Sequence, residues 1–426
     1  MTKTFKTSRR TLLKGAGAGG LLAASPLLGR FASAQSAAPI KIGFQQHSTG
    51  IGAAYGRWYG RTTDAALKVI NDAGGINGRP VEIISEDDGT DPKRGAEVVE
   101  KFANQHECDV AFGTLFSHVV IGSAPAAGEQ KLPYFVVSEG HHVASGGLNR
   151  YTLQPGITDV KSQVQAMAPY VAENLGKKVT MIFPDFAFGH DHRDFFTAAI
   201  EAQGGEVLEH IAVPPSETSF TKYFPKIPRD TEVLYHVMVG PAVLTFVKEL
   251  GEFFGPSSPA IFGFIDSLEA VDLASPGLEF LEGTYFWEGN PRYAQADQTD
   301  YDKNFRAAVG VDENGASVSD PSDVSTYAHM FGCWETLHVI KAGMESADYQ
   351  GLADRQKLIE AVEAMTDMPE SDAHPQGPKI FNGKTHQVFG VQYISKVESG
   401  RLVKVHTTTI EDTLYPDEVD YTTQSF

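Results

Sequence analysis

Short apolar runs alternate with amphipathic helical patterns along most of this chain, and this alternation constrains the fold more than any other feature. The first series has strand-like runs at residues 40–44, 81–86, 110–113 and 134–137. A helix predicted from about Gly56 ends at Gly74-Gly75, and Asp91 with Pro92 begins the next one as N-cap and first-turn residue. Strands separated by helices form a parallel sheet that is covered on both faces.

The same construction starts again in the second half of the chain. Strand-like runs occur at 179–183, 206–213, 233–236 and 260–263, with helices predicted near 189–203 and 241–254. Two long helices, at 327–343 and 355–365, and β-like stretches at 387–394 and 402–409 follow. Because 426 residues exceed what one hydrophobic core usually supports, we predict two α/β units.

The N-terminus predicts export. Arg9-Arg10 is a twin-arginine pair, and a Gly-rich, mildly apolar stretch leads from it to the cleavage pattern Ala32-Ser33-Ala34. The apolar stretch between Lys14 and Pro26 is shorter than the ~20 residues of a membrane-spanning helix. We therefore predict that residues 1–34 are a twin-arginine signal, cleaved after Ala34, and that the protein is periplasmic.

Charge and motifs exclude several classes of function. The formal net charge of −19 argues against binding to nucleic acid or to anionic lipid. Nucleophile-elbow and zinc-protease motifs are absent, and His141-His142 and His190-Asp191-His192 lack the convergence that a metal site needs. We predict no enzyme activity, no cofactor and no metal site. The two cysteines, Cys108 and Cys333, lie in apolar contexts and are predicted to be buried free thiols.

Polar and aromatic residues follow several predicted strands, where an open α/β sheet binds its ligands. Ser117 comes after the strand at 110–113, at the start of a helix, and there it either binds an anionic group or caps the helix. Ser138-Glu139-Gly140 follows the next strand, and Phe188 follows the strand at 179–183. An enzyme on this fold would have to use Ser117 with His118 as nucleophile and base.

Several motifs resemble a known family, the type I periplasmic substrate-binding proteins of ABC transporters, which includes the leucine/isoleucine/valine-binding protein. The resemblance covers almost the whole chain after the signal. Its most specific parts are Ile40-Lys41-Ile42-Gly43, Ser48-Thr49-Gly50, Tyr55-Gly56, Ala73-Gly74-Gly75-Ile76-Asn77-Gly78-Arg79-Pro80 and Asp87-Asp88-Gly89-Thr90-Asp91-Pro92-Lys93.

The resemblance implies two Rossmann-like lobes, joined by three crossings, that close on a ligand in the cleft between them. Residues 35–156 with about 289–365 would form lobe 1, and residues 157–288 with about 366–426 would form lobe 2. In such relatives, a ligand carboxylate is held at positions matching Ser117 and 138–140, and Asp266 lies near the acid that meets the ammonium. The predicted ligand-binding residues are Tyr55, Leu115, Phe116, Ser117, Ser138, Glu139, Gly140, Phe188, His236 and Asp266.

The predicted function is that of a monomeric solute-binding receptor that delivers its ligand to the permease and ATPase of an ABC transporter. The default ligand is an amino acid or a related carboxylate. The loop Ser138-Glu139-Gly140 lacks the usual threonine hydroxyl, and Ile265 competes with Asp266 for the acidic position, so an amide, an amine or an aromatic acid is an alternative. A sensory receptor with the same fold is a further alternative.

Overall fold

The computed structural model describes residues 38–426 apart from residues 146, 256–257, 265–267, 269–270 and 325–326. The predicted export signal and the predicted ligand residue Asp266 lie outside the described residues. In the described part of the chain, no helix is both long and apolar enough to cross a membrane.

The first sheet has five parallel strands. They are β1 (Ile40–Gln46), β2 (Val81–Asp87), β3 (Val110–Gly113), β4 (Tyr134–Val136) and β5 (Thr152–Leu153). Their order is β2-β1-β3-β4-β5, so the chain leaves β1 toward one edge and later returns to pair on its other side. In a sheet of this kind, ligands bind beyond the carboxyl ends of the strands at this reversal.

Four helices connect the strands of the first sheet: α1 (Ala53–Asp72), α2 (Pro92–Asn104), α3 (Ser117–Glu129) and α4 (His142–Ser145). Asp91 caps α2, because its carboxylate accepts a 2.8 Å hydrogen bond from the backbone N–H of Arg94. The predicted start of α2 is confirmed. Helix α1 begins three residues before the predicted Gly56.

The second sheet repeats this construction with β6 (Lys178–Pro184), β7 (Glu206–Val213), β8 (Val233–His236), β9 (Ala260–Phe264) and β10 (Tyr285–Glu288). Its helices are α5 (Val160–Asn174), α6 (Ala187–Ala202) and α7 (Val243–Phe254). Buried apolar clusters lie on both faces of each sheet. The predicted fold of two α/β units with covered parallel sheets is confirmed.

The remaining elements connect and extend the two sheets. They are α8 (Asp300–Val309), β11 (Ala316–Ser317), β12 (Asp320–Val324), α9 (Tyr327–Ser346), α10 (Arg355–Glu363), β13 (Asp367–Met368), β14 (Lys379–Asn382), β15 (Gln387–Gly390), β16 (Tyr393–Glu398) and β17 (Arg401–Thr407). Helices α8 and α9 pack against α1. The antiparallel hairpin of β16 and β17 joins the second sheet beside β10.

The segment with β13, β14 and β15 departs from the predicted lobe boundary at residue 366. Its side chains Met368, Phe381 and Val388 belong to the core that also contains residues of β1 and α9. Gln387 forms a bridge with Gln154, next to β5. This segment therefore packs with the first sheet, and the chain passes to the second sheet only at β16. The lobe boundaries as a whole stay a prediction.

Both cysteines, Cys108 and Cys333, are free and buried. Burial raises the pKa of the Cys108 thiol to about 12. The predicted state of the two thiols is confirmed.

Candidate functional site

The carboxyl ends of strands from both sheets meet around one cavity with an empty volume of about 350 Å³. The lining residues are Tyr55, Leu115, Phe116, Ser117, Glu139, Phe186, Phe188, Val239, Phe264 and His329.

A strained turn after β3 positions Ser117. Gly113 has φ 113° and Thr114 has φ 44°, which is costly for a residue with a side chain. Hydrogen bonds hold this conformation, because Thr114 donates its hydroxyl to Asp88 at 2.6 Å and its backbone N–H to Gln45 O at 3.0 Å. The buried carboxyl of Asp88 has a raised pKa because of desolvation. The turn therefore directs the start of α3 at the cavity.

Ser117 is the first residue of α3, not its cap. The N-cap is Phe116, and no side chain caps the helix. The capping alternative for Ser117 is therefore wrong. Ser117 is 2% exposed and lines the cavity. The N–H groups at the start of a helix carry its positive partial charge, and the first of them have no partners within the helix. In α3 the N–H of Val119 already donates to the carbonyl of Phe116 at 2.9 Å, so the N–H groups considered are those of Ser117 and His118. Together with the hydroxyl, they form a donor-rich corner that suits a carboxylate.

Glu139 follows β4 and brings a carboxylate to the same cavity. Its side chain is held from two directions. Gln163 of α5 donates its Nε2 hydrogen to Oε1 at 2.8 Å, and Nε2 of His329, on α9, lies 3.2 Å from Oε2. The backbone also contributes, because the N–H of Val160 donates to the Glu139 carbonyl at 2.8 Å. Glu139 is 5% exposed, and its position is fixed by both halves of the fold.

The remaining walls are mostly aromatic. Tyr55 of α1 makes edge contacts with Phe116 and His329, at centroid distances of 6.2 and 6.0 Å. On the side of the second sheet, the ring centroid of Phe264 lies 5.8 Å from that of Phe188 and 5.3 Å from that of His329. Such walls favour a ligand with an apolar body of about the size of a ring or a branched side chain.

The structure brings together most of the predicted site residues. Tyr55, Leu115, Phe116, Ser117, Glu139 and Phe188 line the cavity. Ser138 and Gly140 are buried beside it without lining it. Gly140 leaves room for its neighbours, since a Cβ there would lie 2.3 Å from the ring of His142 and 2.9 Å from Ser117 Oγ.

His236 lies in the hydrophobic core. Its ring is 1% exposed and packs against Phe246 and Phe286, at centroid distances of 5.4 and 6.1 Å. Burial lowers its pKa to about 4, so the imidazole is neutral at pH 7. It does not line the cavity, because side chains alternate between the two faces along a strand and the ring of His236 is on the face that packs against Phe246 of α7.

Four lining residues were absent from the prediction: Phe186, Val239, Phe264 and His329. Phe186 lies two residues before the predicted Phe188. Val239 follows β8 and Phe264 is the last residue of β9, so both lie at the ends of predicted strands. His329 lies inside a helix, where no local signal distinguishes it.

The nucleophile–base pair that an enzyme would need is not formed by Ser117 and His118. Nε2 of His118 lies 3.2 Å from the carbonyl oxygen of Thr90, and its ring makes an edge contact with Phe186 at 5.6 Å. Among the described residues, no three His, Cys, Asp or Glu side chains lie close enough together to hold a metal ion.

Two α/β sheets with facing strand ends around one small cavity define a ligand-binding receptor. Residues 39–401 match the family model described as periplasmic binding protein, so this chain belongs to the periplasmic binding protein family. The predicted family, fold class and receptor function are confirmed.

Individual relatives agree with this family. An amino acid binding protein of Pseudomonas aeruginosa is 25% identical over 316 residues, which cover 73% of this chain and 82% of that protein. The solute binding protein of an ABC transporter from Rhodopseudomonas palustris HaA2, in complex with p-hydroxybenzoic acid, is similar with a TM-score of 0.74 and 21% identity, over 87% of this chain and 97% of that one. The branched-chain amino acid transporter substrate binding protein of Streptococcus pneumoniae, in complex with isoleucine, gives a TM-score of 0.68 and 18% identity, over 86% and 99%.

Proposed function

We propose that this protein is the solute-binding component of an ABC uptake transporter and that it captures a small organic acid with a bulky apolar or ring-shaped body. The observation that carries the proposal is the donor-rich corner at Ser117 opening into a cavity with aromatic walls. The corner matches a carboxylate, and the walls match an apolar body. The ligands bound in two similar structures, p-hydroxybenzoic acid and isoleucine, are both molecules of this kind.

Binding requires no covalent step. The ligand carboxylate accepts hydrogen bonds from the Ser117 hydroxyl and from first-turn N–H groups of α3. Aromatic residues that follow β6, such as Phe188, close over the apolar body from the second sheet. Closure removes water from both surfaces, and this strengthens the polar contacts.

The place of action and the partners form part of the same proposal. The twin-arginine pair and the cleavage pattern at Ala34 support export to the periplasm. There the protein acts as a monomer and delivers its ligand to membrane-bound permease and ATPase subunits. Export of a reporter protein fused to residues 1–34, compared with the same fusion in which Arg9 and Arg10 are lysine, tests the signal.

Replacement of Ser117 by alanine is expected to weaken ligand binding by about 1 to 3 kcal/mol, because a buried carboxylate loses a hydrogen-bond donor. Isothermal titration calorimetry with amino acids and hydroxybenzoates measures the change. Ser123→Ala is the matched control: it lies on the same helix, but its hydroxyl contacts Gln45 at 3.1 Å and does not line the cavity. Equal affinities of wild type and Ser117→Ala would contradict the carboxylate site, and no binding of any tested acid would contradict the proposed ligand class.

A further inference from the structure

The charged residues around the cavity restrict the class of ligand more narrowly than the shape of the cavity does. Among the ten described lining residues, Glu139 is the only carboxylate, and none is Lys or Arg. The donors for an anion are the uncharged hydroxyl of Ser117 and backbone N–H groups. A ligand with a net negative charge would therefore share a small apolar space with the Glu139 carboxylate and meet no lysine or arginine there.

Two contacts hold the side chain of Glu139 in place. Gln163 is an uncharged donor, and it binds Oε1 at 2.8 Å. Nε2 of His329 lies 3.2 Å from Oε2 on the other side of the carboxylate. Each carboxylate oxygen can accept a further hydrogen bond. Glu139 thus presents a fixed acceptor at the cavity.

The aromatic walls, like Glu139, favour a cation over an anion. Phenylalanine and tyrosine rings have negative faces, which attract a cation and repel an anion. Phe116, Phe188 and Phe264 surround the space that a ligand would fill, and each is less than one-tenth exposed. A cationic nitrogen is therefore stabilised both by the carboxylate and by the rings near it.

We propose that Glu139 is a specificity-determining residue that selects ligands with a positively charged nitrogen, and that Gln163 and His329 are positioning residues for it. This inference rests on the proposed function and narrows its ligand class to zwitterions and organic cations. The ligand carboxylate, where there is one, binds at Ser117 and α3, and the cationic nitrogen binds at Glu139. This reverses the role that the resemblance implies for residues 138–140, which would bind the carboxylate.

Pairs of probes that differ only in the ammonium group test the proposal: L-phenylalanine against 3-phenylpropanoate, and L-leucine against 4-methylpentanoate. Calorimetry on the full mature chain is expected to show binding of the amino acid and at least about 30-fold weaker binding of the matching acid, as for loss of one partner of a buried charge pair. In Glu139→Gln, which keeps the shape of the side chain and one acceptor oxygen for Gln163, the affinity for the amino acid is expected to fall about 30-fold or more. The matching acid is expected to gain affinity, because the like charge is removed.

A second variant separates positioning from charge. His329→Gln removes the imidazole but leaves the carboxylate, so the amino acid is expected to weaken more than the matching acid, with a preference that is reduced but less than in Glu139→Gln. Thermal unfolding of each variant without ligand shows whether it is folded. Equal affinity of the wild type for both members of a pair, or an unchanged preference in Glu139→Gln, would overturn the specificity role and leave the receptor for small acids intact. Failure of all four probes and of hydroxybenzoates to bind would overturn the proposed ligand class and this inference with it.

Discussion

Replacement of Lys379 by methionine is expected to lower the free energy of unfolding by about 3 to 5 kcal/mol, because it leaves a fully buried carboxylate without its countercharge. Lys379 of β14 is 5% exposed and pairs with Glu335 of α9, which is 0% exposed. Its ammonium also donates to the carbonyl oxygen of Gly156 at 3.0 Å, in the chain segment that leaves the first sheet. Burial is the largest single influence and would raise the pKa of Glu335, but Lys379 and His374 together outweigh it, through their charges and hydrogen bonds, and the pKa is lowered.

The double variant Lys379→Met with Glu335→Gln is the control for this interpretation. With both charges removed, no uncompensated ion stays in the core, so the double variant is expected to be more stable than Lys379→Met alone. Denaturant unfolding at pH 7 of the wild type, Lys379→Met, Glu335→Gln and the double variant gives the three differences of a double-mutant cycle. A loss below about 1 kcal/mol for Lys379→Met, or additive losses in the cycle, would show that the pair does not stabilise this junction.

The positions of most strands and helices followed from local patterns, while helices α5 and α8 and the pairing of the last strands did not. The predicted strand at residues 206–213 has the same bounds in the structure as β7, since its apolar and polar residues and its flanking glycines are all local signals. The β-like stretches after residue 386 divide between two sheets. A strand's own residues do not specify which sheet edge it joins, because that choice depends on partners that are distant in the sequence.

The site was predictable where strand ends define it. Ser117 and Glu139 directly follow β3 and β4, and the rule that ligands bind beyond strand ends was sufficient to find them. His329 was not predictable in this way, because α9 is buried on nearly all sides and its pattern does not mark the face that reaches the cavity. His236 shows the limit of the same rule. As the last residue of β8 it is close to the cavity along the chain, but the alternation of side chains directs it into the core.

Buried histidines make the folded protein sensitive to acid. Desolvation is the largest cause in each case: it lowers the pKa of His192 to about 3 and those of His142 and His236 to about 4, while His47, also close to His329, falls to about 3. Each is lower than the value of about 6.5 in an unfolded chain, so the unfolded state binds more protons below pH 6.5. The stability that these neutral imidazoles contribute is present above pH 6.5 and is lost as the pH falls toward 3 or 4. Between pH 7 and pH 5 the loss is about 2 kcal/mol per histidine.

The pKa values of two buried carboxyl groups shift in the opposite direction. The contribution of the histidines is therefore measured best as a difference between variants and wild type. Burial raises the pKa of Glu288 to about 7 and that of Asp191 to about 6. Because these values are higher than in the unfolded chain, both groups bind protons more readily when folded, and they stabilise the fold as the pH falls from 7 to 5. In the wild type, these carboxyl groups therefore offset part of the stability that the histidines lose between pH 7 and pH 5. A variant without particular histidines retains the carboxyl contribution unchanged.

The double variant His192→Gln with His236→Leu is expected to reduce the loss of stability between pH 7 and pH 5 by about 4 kcal/mol relative to wild type, about half of it from each substitution. Glutamine can keep a hydrogen bond to the Tyr235 hydroxyl, which now lies 2.8 Å from Nδ1 of His192. Leucine suits the apolar surroundings of His236, whose two ring nitrogens have no hydrogen-bond partner among the described residues. Urea unfolding of the wild type, both single variants and the double variant at the two pH values measures the slopes. If the slope of the double variant equalled that of the wild type, these two imidazoles would have to be protonated in the fold or exposed by local opening, and burial would not be the origin of the acid sensitivity.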